Sequence, residues 1–283
     1  MEVEQVTDPC AHHGEGPVWH PAWPGLRWVD LLAGDVLTLD RGTGEVHRAH
    51  VGRVVAALRP RRSGGAVLAL ERGFALADDD LTDVRPLGDL WDDPTVRMND
   101  GGCDPEGRFY CGSMSYAEEA GRGALHVLEP DGRVRTALDR VTISNGLAWS
   151  PDGATAYYVD TATRRIDAFD HGGAALRARR PAVRIDADLG APDGLTVDAE
   201  GHLWVALWGG GAVHRYSPAG ELLDRIEVPA SQVTACTFGG PALRDLYITT
   251  SAVDADRRRH PESGALFRVP GAGLGMPVAA YAG

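Results

Sequence analysis

Apolar and polar positions alternate along this chain in short runs, each closed by Gly, Pro, Asp or Asn, and one such phrase returns six times. It reads PGLRWVD around Trp28, GGAVLAL around Leu68, EGRFYCG around Tyr110, DGATAYYVD around Tyr158, EGHLWVA around Trp204 and PALRDLYIT around Tyr247. Successive anchors lie 40, 42, 48, 46 and 43 residues apart. A near-constant period of that length, built from strand and turn units, marks a radial array of small sheets. After each anchor comes a second alternating segment opened by a turn residue: GDVLTLD from Gly34, GFALAD from Gly73, GALHVL from Gly123, RRIDAFD from Arg164, GAVHRY from Gly211 and GALFRV from Gly264. Before each anchor lies a further apolar stretch, such as GPVWH, GLAWS or GLTVD, which supplies an innermost strand. No window keeps apolar residues at i, i+3, i+4 and i+7 through several turns, so little helix is expected.

Six such units nearly exhaust the 283 residues. The fold they predict is all-β: one six-bladed β-propeller domain over residues 1–283, made of four-stranded antiparallel blades. Pairing of the N-terminal segment with a strand of the last repeat would close the ring. The stretch from Arg177 to Arg184 reads as a connection between blades.

Aligning the six units on their anchors exposes the chemistry. Eleven to thirteen residues before each anchor, at the start of the innermost strand, blades of a propeller converge on one mouth of the channel. Four units carry an oxygen-bearing side chain there: Glu15 in GEGPVW, Asn99 in RMNDGG, Asn145 in SNGLAW and Asp193 in PDGLTV. The other two carry Ala56 and Ala57 or Ala235 and Cys236. Asn-Gly and Asp-Gly are common turn pairs, so any single one of these reads first as a turn. Four at one equivalent position, one of them a Glu without turn preference, point to a shared site. Such oxygens crowded at a partly buried mouth are costly unless satisfied, and a divalent cation satisfies them. Without His or Cys at those positions, the donors suit calcium first, with magnesium or manganese next and a zinc-selective site least favoured.

Composition sets limits on the rest. The net charge is −12, and all 28 basic residues are Arg. Without a clustered basic run, a nucleic-acid partner is not expected. The N-terminus lacks the basic and apolar regions of a signal peptide, and no stretch approaches the ~18 apolar residues of a membrane span. A soluble cytoplasmic protein without a membrane partner is therefore expected; the sequence leaves the oligomeric state open. Cys10, Cys103, Cys111 and Cys236 lack paired CxxC spacing, which excludes zinc-ribbon and thioredoxin-type readings.

The segments GEGPVW, RMNDGGCDPEGRFYCGSM, SNGLAWSPDGATAYYVDT, PDGLTVDAEGHLWVALWGGGAVHRYSPAGE, VTACTFGG and SGALFRVPGAGLG resemble, in order and spacing, the SMP-30/gluconolactonase/LRE-like family. The resemblance spans nearly the whole chain. It implies a six-bladed propeller with one divalent metal near its centre and hydrolysis of sugar lactones to aldonic acids. By motif, it implies Glu15, Asn145 and Asp193 as metal ligands and Arg97 and Asn99 as substrate contacts. The family's acidic substrate contact after the Gly-Ser/Thr-Met segment has no ungapped counterpart: Ala117 stands there, and Glu118 and Glu119 follow. Glu118 is taken as the substrate-binding acid.

These roles compose a metal-assisted ester hydrolysis. The cation, calcium or else magnesium, manganese or zinc, polarises the carbonyl of a sugar lactone and makes a water more acidic. Arg97 favours the developing negative charge. Asp193 is the catalytic base as well as a ligand, unless the activated water suffices alone. A metal-dependent phosphotriesterase or esterase and a non-enzymatic calcium-binding propeller remain the alternatives. Of the neighbours, only one of His12 and His13 can face the mouth, because adjacent residues of an extended segment point opposite ways. Trp19 and Trp149 read as blade core, Trp208 as a wall of the mouth, Cys236 as a small buried thiol and His260 as solvated.

Overall fold

The computed structural model describes residues 1–173 and 175–283. Its strands form six four-stranded antiparallel sheets, five of them consecutive along the chain. The innermost strands are β2 (Gly14–Trp19), β6 (Val55–Pro60), β10 (Val96–Cys103), β14 (Ser144–Trp149), β18 (Ala191–Val197) and β22 (Val233–Gly239). Among the described residues, the only helical elements are three single 3-10 turns, at Leu31–Ala33, Thr161–Thr163 and Ala187–Leu189.

The sixth blade closes the ring as expected. Its outermost strand is β1 (Glu4–Gln5), which pairs with β24 (Leu266–Val269), Glu4 opposite Arg268 and Gln5 opposite Phe267. The Val6 amide donates to Leu266 O at 2.8 Å, and the amides of Cys10 and Ala11 donate to Gly264 O. Deleting residues 1–10 is expected to lower the melting temperature by several degrees or more, because it strips β24 of its partner and opens an unpaired edge. A thermal melt of the truncated chain checks this.

The six sequence anchors occupy the second strand of each blade and are buried. Trp28, Leu68, Tyr110, Tyr158 and Trp204 are at most 1% exposed, and Tyr247 is 7% exposed. The large side chains lock neighbouring blades edge to face: Phe74 meets Phe109 with ring centroids 5.6 Å apart, and Trp204 meets Phe238 at 5.4 Å. Trp19 and Trp149 are buried as expected.

One expectation fails. The Arg177–Arg184 stretch is not a blade connection but most of β17 (Ala175–Arg184), the outer strand of the fourth blade. Pro181 sits there opposite Asp167, with register shifts on either side. An outer strand leaves one edge free, so a residue without an amide proton is tolerated. Its arginines are held by acids of the neighbouring strand: Arg179 pairs with Asp167 and Arg180 with Asp170, each at 2.7 Å.

At one end of the channel the C-terminal segment crosses from blade to blade. Gly275 bridges to Asp198 and Tyr281 to Arg61, and Met276 to Ala279 line a cavity of about 280 Å³ there with Trp19 and Trp149. The other end stays open.

Candidate active site

Every innermost strand breaks register at the same place. The pairing shifts between Glu15 and Val18, Met98 and Gly101, Ser144 and Leu147, and Pro192 and Leu195, so that Glu15, Asn99, Asn145 and Asp193 fall at or inside a bulge. A bulge bends its strand and re-aims a side chain, which turns these four toward the axis. The two remaining blades break between Val55 and Ala57 and between Val233 and Ala235. The counterpart in the sixth blade is therefore Thr234, one residue before the Ala235–Cys236 pair expected from spacing. Thr234 donates its hydroxyl to Gly14 O at 2.6 Å and ties the sixth blade to the first.

The glycines that follow Asn145 and Asp193 are not turn glycines. A Cβ on Gly146 would lie 2.7 Å from Asp193 O, and one on Gly194 would lie 2.5 Å from Ala235 Cβ. The innermost strands approach so closely that only hydrogen fits, and this answers the turn reading of both pairs.

The side chains converge on an open cavity of about 400 Å³. Glu15, Arg97, Asn99, Glu118, Asn145 and Asp193 line it, joined by His13, Thr161, Arg164 and Trp208. One hydrogen-bonded chain fixes the amides. Arg97 Nη1 donates to Asn99 Oδ1 at 2.6 Å, and Asn99 Nδ2 donates to Ser144 O at 2.8 Å and to Asn145 Oδ1 at 3.2 Å. Asn145 Nδ2 in turn donates to Thr161 Oγ1, whose hydroxyl donates to Pro192 O, both at 2.8 Å. The chain leaves the Asn145 carbonyl oxygen with a spare lone pair. Thr161, on a 3-10 turn, carried no motif signal and was missed from sequence.

The carboxylates are another matter. Glu15 and Asp193 are 3% and 4% exposed, and Asp193 Oδ1 is buried without any hydrogen-bond partner. Burial, with Asp100 adding to it, pushes Glu15 up to about 8. Burial and the charges of Glu15 and Asp100 push Asp193 well above the carboxylate range. Asp100 also faces this cluster from the bulge beside Asn99 and is raised by burial, with Arg59 of the second blade opposing. It is a third buried acid that the sequence analysis overlooked, although it stands in the RMNDGG motif. Arg97 lowers both Glu15 and Asp193 and Arg59 lowers Asp100, so two guanidiniums face three acids. The site is short of positive charge, and an orphaned carboxylate oxygen, a spare amide oxygen and a second carboxylate match what a hard divalent cation requires.

A pH dependence follows for protein kept free of metal. A carboxyl whose folded value is raised stabilises the fold fully at low pH and loses that contribution as pH rises through the folded value. Chelated protein is expected to become less stable between pH ~4.5 and ~8, the interval over which Glu15 alone shifts. Excess calcium should abolish the loss. Melting temperature against pH, with chelator or with calcium, checks the sign.

Of the two adjacent histidines, His13 points inward and His12 is exposed. His13 Nδ1 lies 2.8 Å from Ser251 Oγ, its ring packs edge to face on Trp208 at 5.8 Å, and burial holds it down to about 3, so it is neutral. Trp208 is the wall residue expected. Glu118 is exposed at the rim with φ 54°, and Glu119 lies outside the cavity beside Arg122. Tyr116, whose hydroxyl donates to Glu71 at 2.7 Å, places its ring 5.6 Å from the Arg97 guanidinium. Cys236 is buried with its thiol pushed up by burial and is no nucleophile, and His260 is half-buried.

The protein is a six-bladed propeller whose bulged innermost strands gather carboxylates, carboxamides and an arginine on one open mouth. Residues 13–252 match the SMP-30/Gluconolactonase/LRE-like region, and the chain belongs to that family. It is 36% identical to a regucalcin of Danio rerio over 294 residues, covering 100% of this chain and 99% of the relative. It is 38% identical to a pentonolactonase of Haloferax volcanii over 288 residues, covering 98% and 97%. The solved structure of a calcium-binding regucalcin from Agrobacterium tumefaciens superimposes with a TM-score of 0.90 at 28% identity over 97% of this chain and 96% of that one. The family thus includes sugar lactonases. Among the described residues, no helix is long and apolar enough to cross a membrane.

Proposed function

We propose that this chain is a divalent-cation-dependent lactonase that opens a sugar-derived lactone to its aldonic acid, acting in the cytoplasm as one propeller domain. The observation that carries the reading is the Asp193 Oδ1 atom, buried and unpartnered beside Glu15 and Asp100, whose charges Arg97 does not offset. Glu15, Asn145 and Asp193 would hold the cation, calcium by the character of their oxygens. That ion supplies polarisation of an ester carbonyl and acidification of water. The family membership and the name of the Haloferax relative support a lactone as the substrate.

The chain's own residues do the rest. Arg97, held by Asn99 and by Met98 O at 2.9 Å, aims a fixed charge at the cavity and favours the negative charge that grows on the carbonyl oxygen during attack. Asn99, whose Nδ2 protons go to Ser144 O and Asn145 Oδ1, keeps a lone pair on Oδ1 to accept from a substrate hydroxyl. Glu118, at the rim, accepts hydrogen bonds from sugar hydroxyls, and Trp208 offers an apolar wall to the sugar face. Asp193, which would hold the cation through its unpartnered Oδ1, takes the proton of the attacking water with its other carboxylate oxygen.

The test is a panel of sugar lactones assayed with metal-stripped protein, restoring one cation at a time. Turnover that returns with calcium, and with few other ions, supports the reading. Equal turnover in the presence of chelator, or none on any lactone with any cation, overturns it.

A further inference from the structure

Away from the central cavity, a turn of the third blade meets a strand of the fourth. Asp104 to Arg108 connect β10 to β11 (Phe109–Ser115), and Asp104 is fully buried. Arg108 donates through Nε to Asp104 Oδ2 at 2.6 Å and through Nη2 to Glu106 Oε2 at 2.8 Å. Facing these oxygens is His171, from β16 (Arg165–Gly172), with a side chain only 1% exposed.

The hydrogen bonding of His171 fixes which nitrogen carries its proton. Nδ1 lies 2.9 Å from Gly153 O, and a carbonyl can only accept, so Nδ1 is the N–H. In the neutral ring Nε2 is then a bare lone pair. It is buried without a hydrogen-bond partner and lies 3.6 Å from Asp104 Oδ2 and 3.7 Å from Glu106 Oε2. Three acceptor atoms thus face one another at separations that a single ion bonded to all three would produce. The ring is oriented in the way of metal-ligating imidazoles, with the far N–H on a backbone carbonyl.

We propose that His171 Nε2, Asp104 Oδ2 and Glu106 Oε2 form a second divalent-cation site that clamps the third blade to the fourth. One imidazole and two carboxylates suit a borderline ion such as zinc, in contrast to the all-oxygen central site. Glu106 is 49% exposed, which leaves the ion a path from solvent and room for water ligands. Each carboxylate oxygen has a second lone pair, so Arg108 stays bonded and holds both acids in place. The ring of Trp149, edge to face at 5.9 Å, limits rotation of His171.

The fifth blade supplies a contrast. Asp198, Glu200 and His202 form a similar cluster in the corresponding turn. There the nitrogen beside the acids is already partnered: His202 Nδ1 lies 3.1 Å from Asp198 Oδ2 and receives Arg215 Nη2 at 2.8 Å. The orphaned lone pair belongs to the His171 cluster.

Full-length protein, stripped and then dialysed against zinc, is expected to retain one more equivalent than His171→Asn or Glu106→Gln. Lactone turnover should be unchanged in both variants, because neither residue touches the central cavity. Zinc binding should weaken by about tenfold or more in each, and the rise in melting temperature on adding zinc should shrink with it. Glu106 is at the surface, so Glu106→Gln keeps the test decisive if His171→Asn fails to fold. Equal zinc content in parent and Glu106→Gln overturns the proposal. So does a His171 Nε2 that nitrogen-15 spectra show protonated in excess zinc, since the ring would then be an imidazolium bridging the two acids.

Discussion

Asp193→Asn is expected to lower lactone turnover by about 10² to 10⁴-fold, the usual span for loss of a general base, and saturating cation should not restore it. The substitution keeps the shape of the side chain and removes its charge. The prediction rests on two roles meeting in one residue. Asp193 is 4% exposed, its Oδ1 is orphaned, and the charges of Glu15 and Asp100 crowd it. A residue that only bound the cation would show weakened affinity with recoverable kcat. Glu15→Gln supplies that comparison, because Glu15 turns Oε2 toward the Gly16 amide at 3.0 Å and is assigned no proton to move. Its loss of activity should be reversed by raising calcium. Titrating each variant with calcium while measuring kcat and bound metal separates the two. Full recovery of Asp193→Asn at high calcium would leave Asp193 a ligand only and assign proton removal to another group.

The fold was legible because its determinants repeat. A buried anchor such as Trp28 or Trp204 recurs at nearly fixed spacing, and Trp204 packs against Phe238 of the next blade. The outer strand of the fourth blade escaped notice because β17 is dominated by Arg and contains Pro, a pattern that the exposed edge of a sheet permits. The meeting of Glu15, Asn99, Asn145 and Asp193 at one cavity was also legible, since equivalent positions of a ring converge. What sequence could not weigh was partnership. Asp100 looks like a turn acid until its burial beside Glu15 and Asp193 is known. Thr161 is an ordinary hydroxyl until Asn145 and Pro192 O are found on either side of it. His13 was one of a pair with even claims, and the strand direction that separates it from His12 appears only in three dimensions. His171 lies 67 positions from Asp104 in the chain, with no motif to join them.

Arg97→Ala is expected to lower lactone turnover by on the order of tenfold to a hundredfold, the worth of a charged hydrogen bond to substrate of about 1.5 to 3 kcal/mol. Metal content and melting temperature should stay close to those of the parent above the pH at which the acids ionise. The structure adds a second effect with a definite sign. Arg97 opposes the upward shifts of Glu15 and Asp193, so its removal makes both hold their protons to higher pH. Proton and cation compete for the same oxygens, and the pH above which calcium binds should therefore move up in the variant. Arg97→Lys should restore most of that pH position, because it restores the charge. It should recover only part of the rate, because an ammonium that bonds Asn99 Oδ1 and Met98 O, as Nη1 does, has no second nitrogen left to meet the substrate. Calcium binding and kcat/KM measured against pH on the three proteins distinguish the contributions. If Arg97→Ala instead melts early while turnover per folded molecule is intact, Arg97 only braces the third blade and the lactonase site loses its anion-stabilising group.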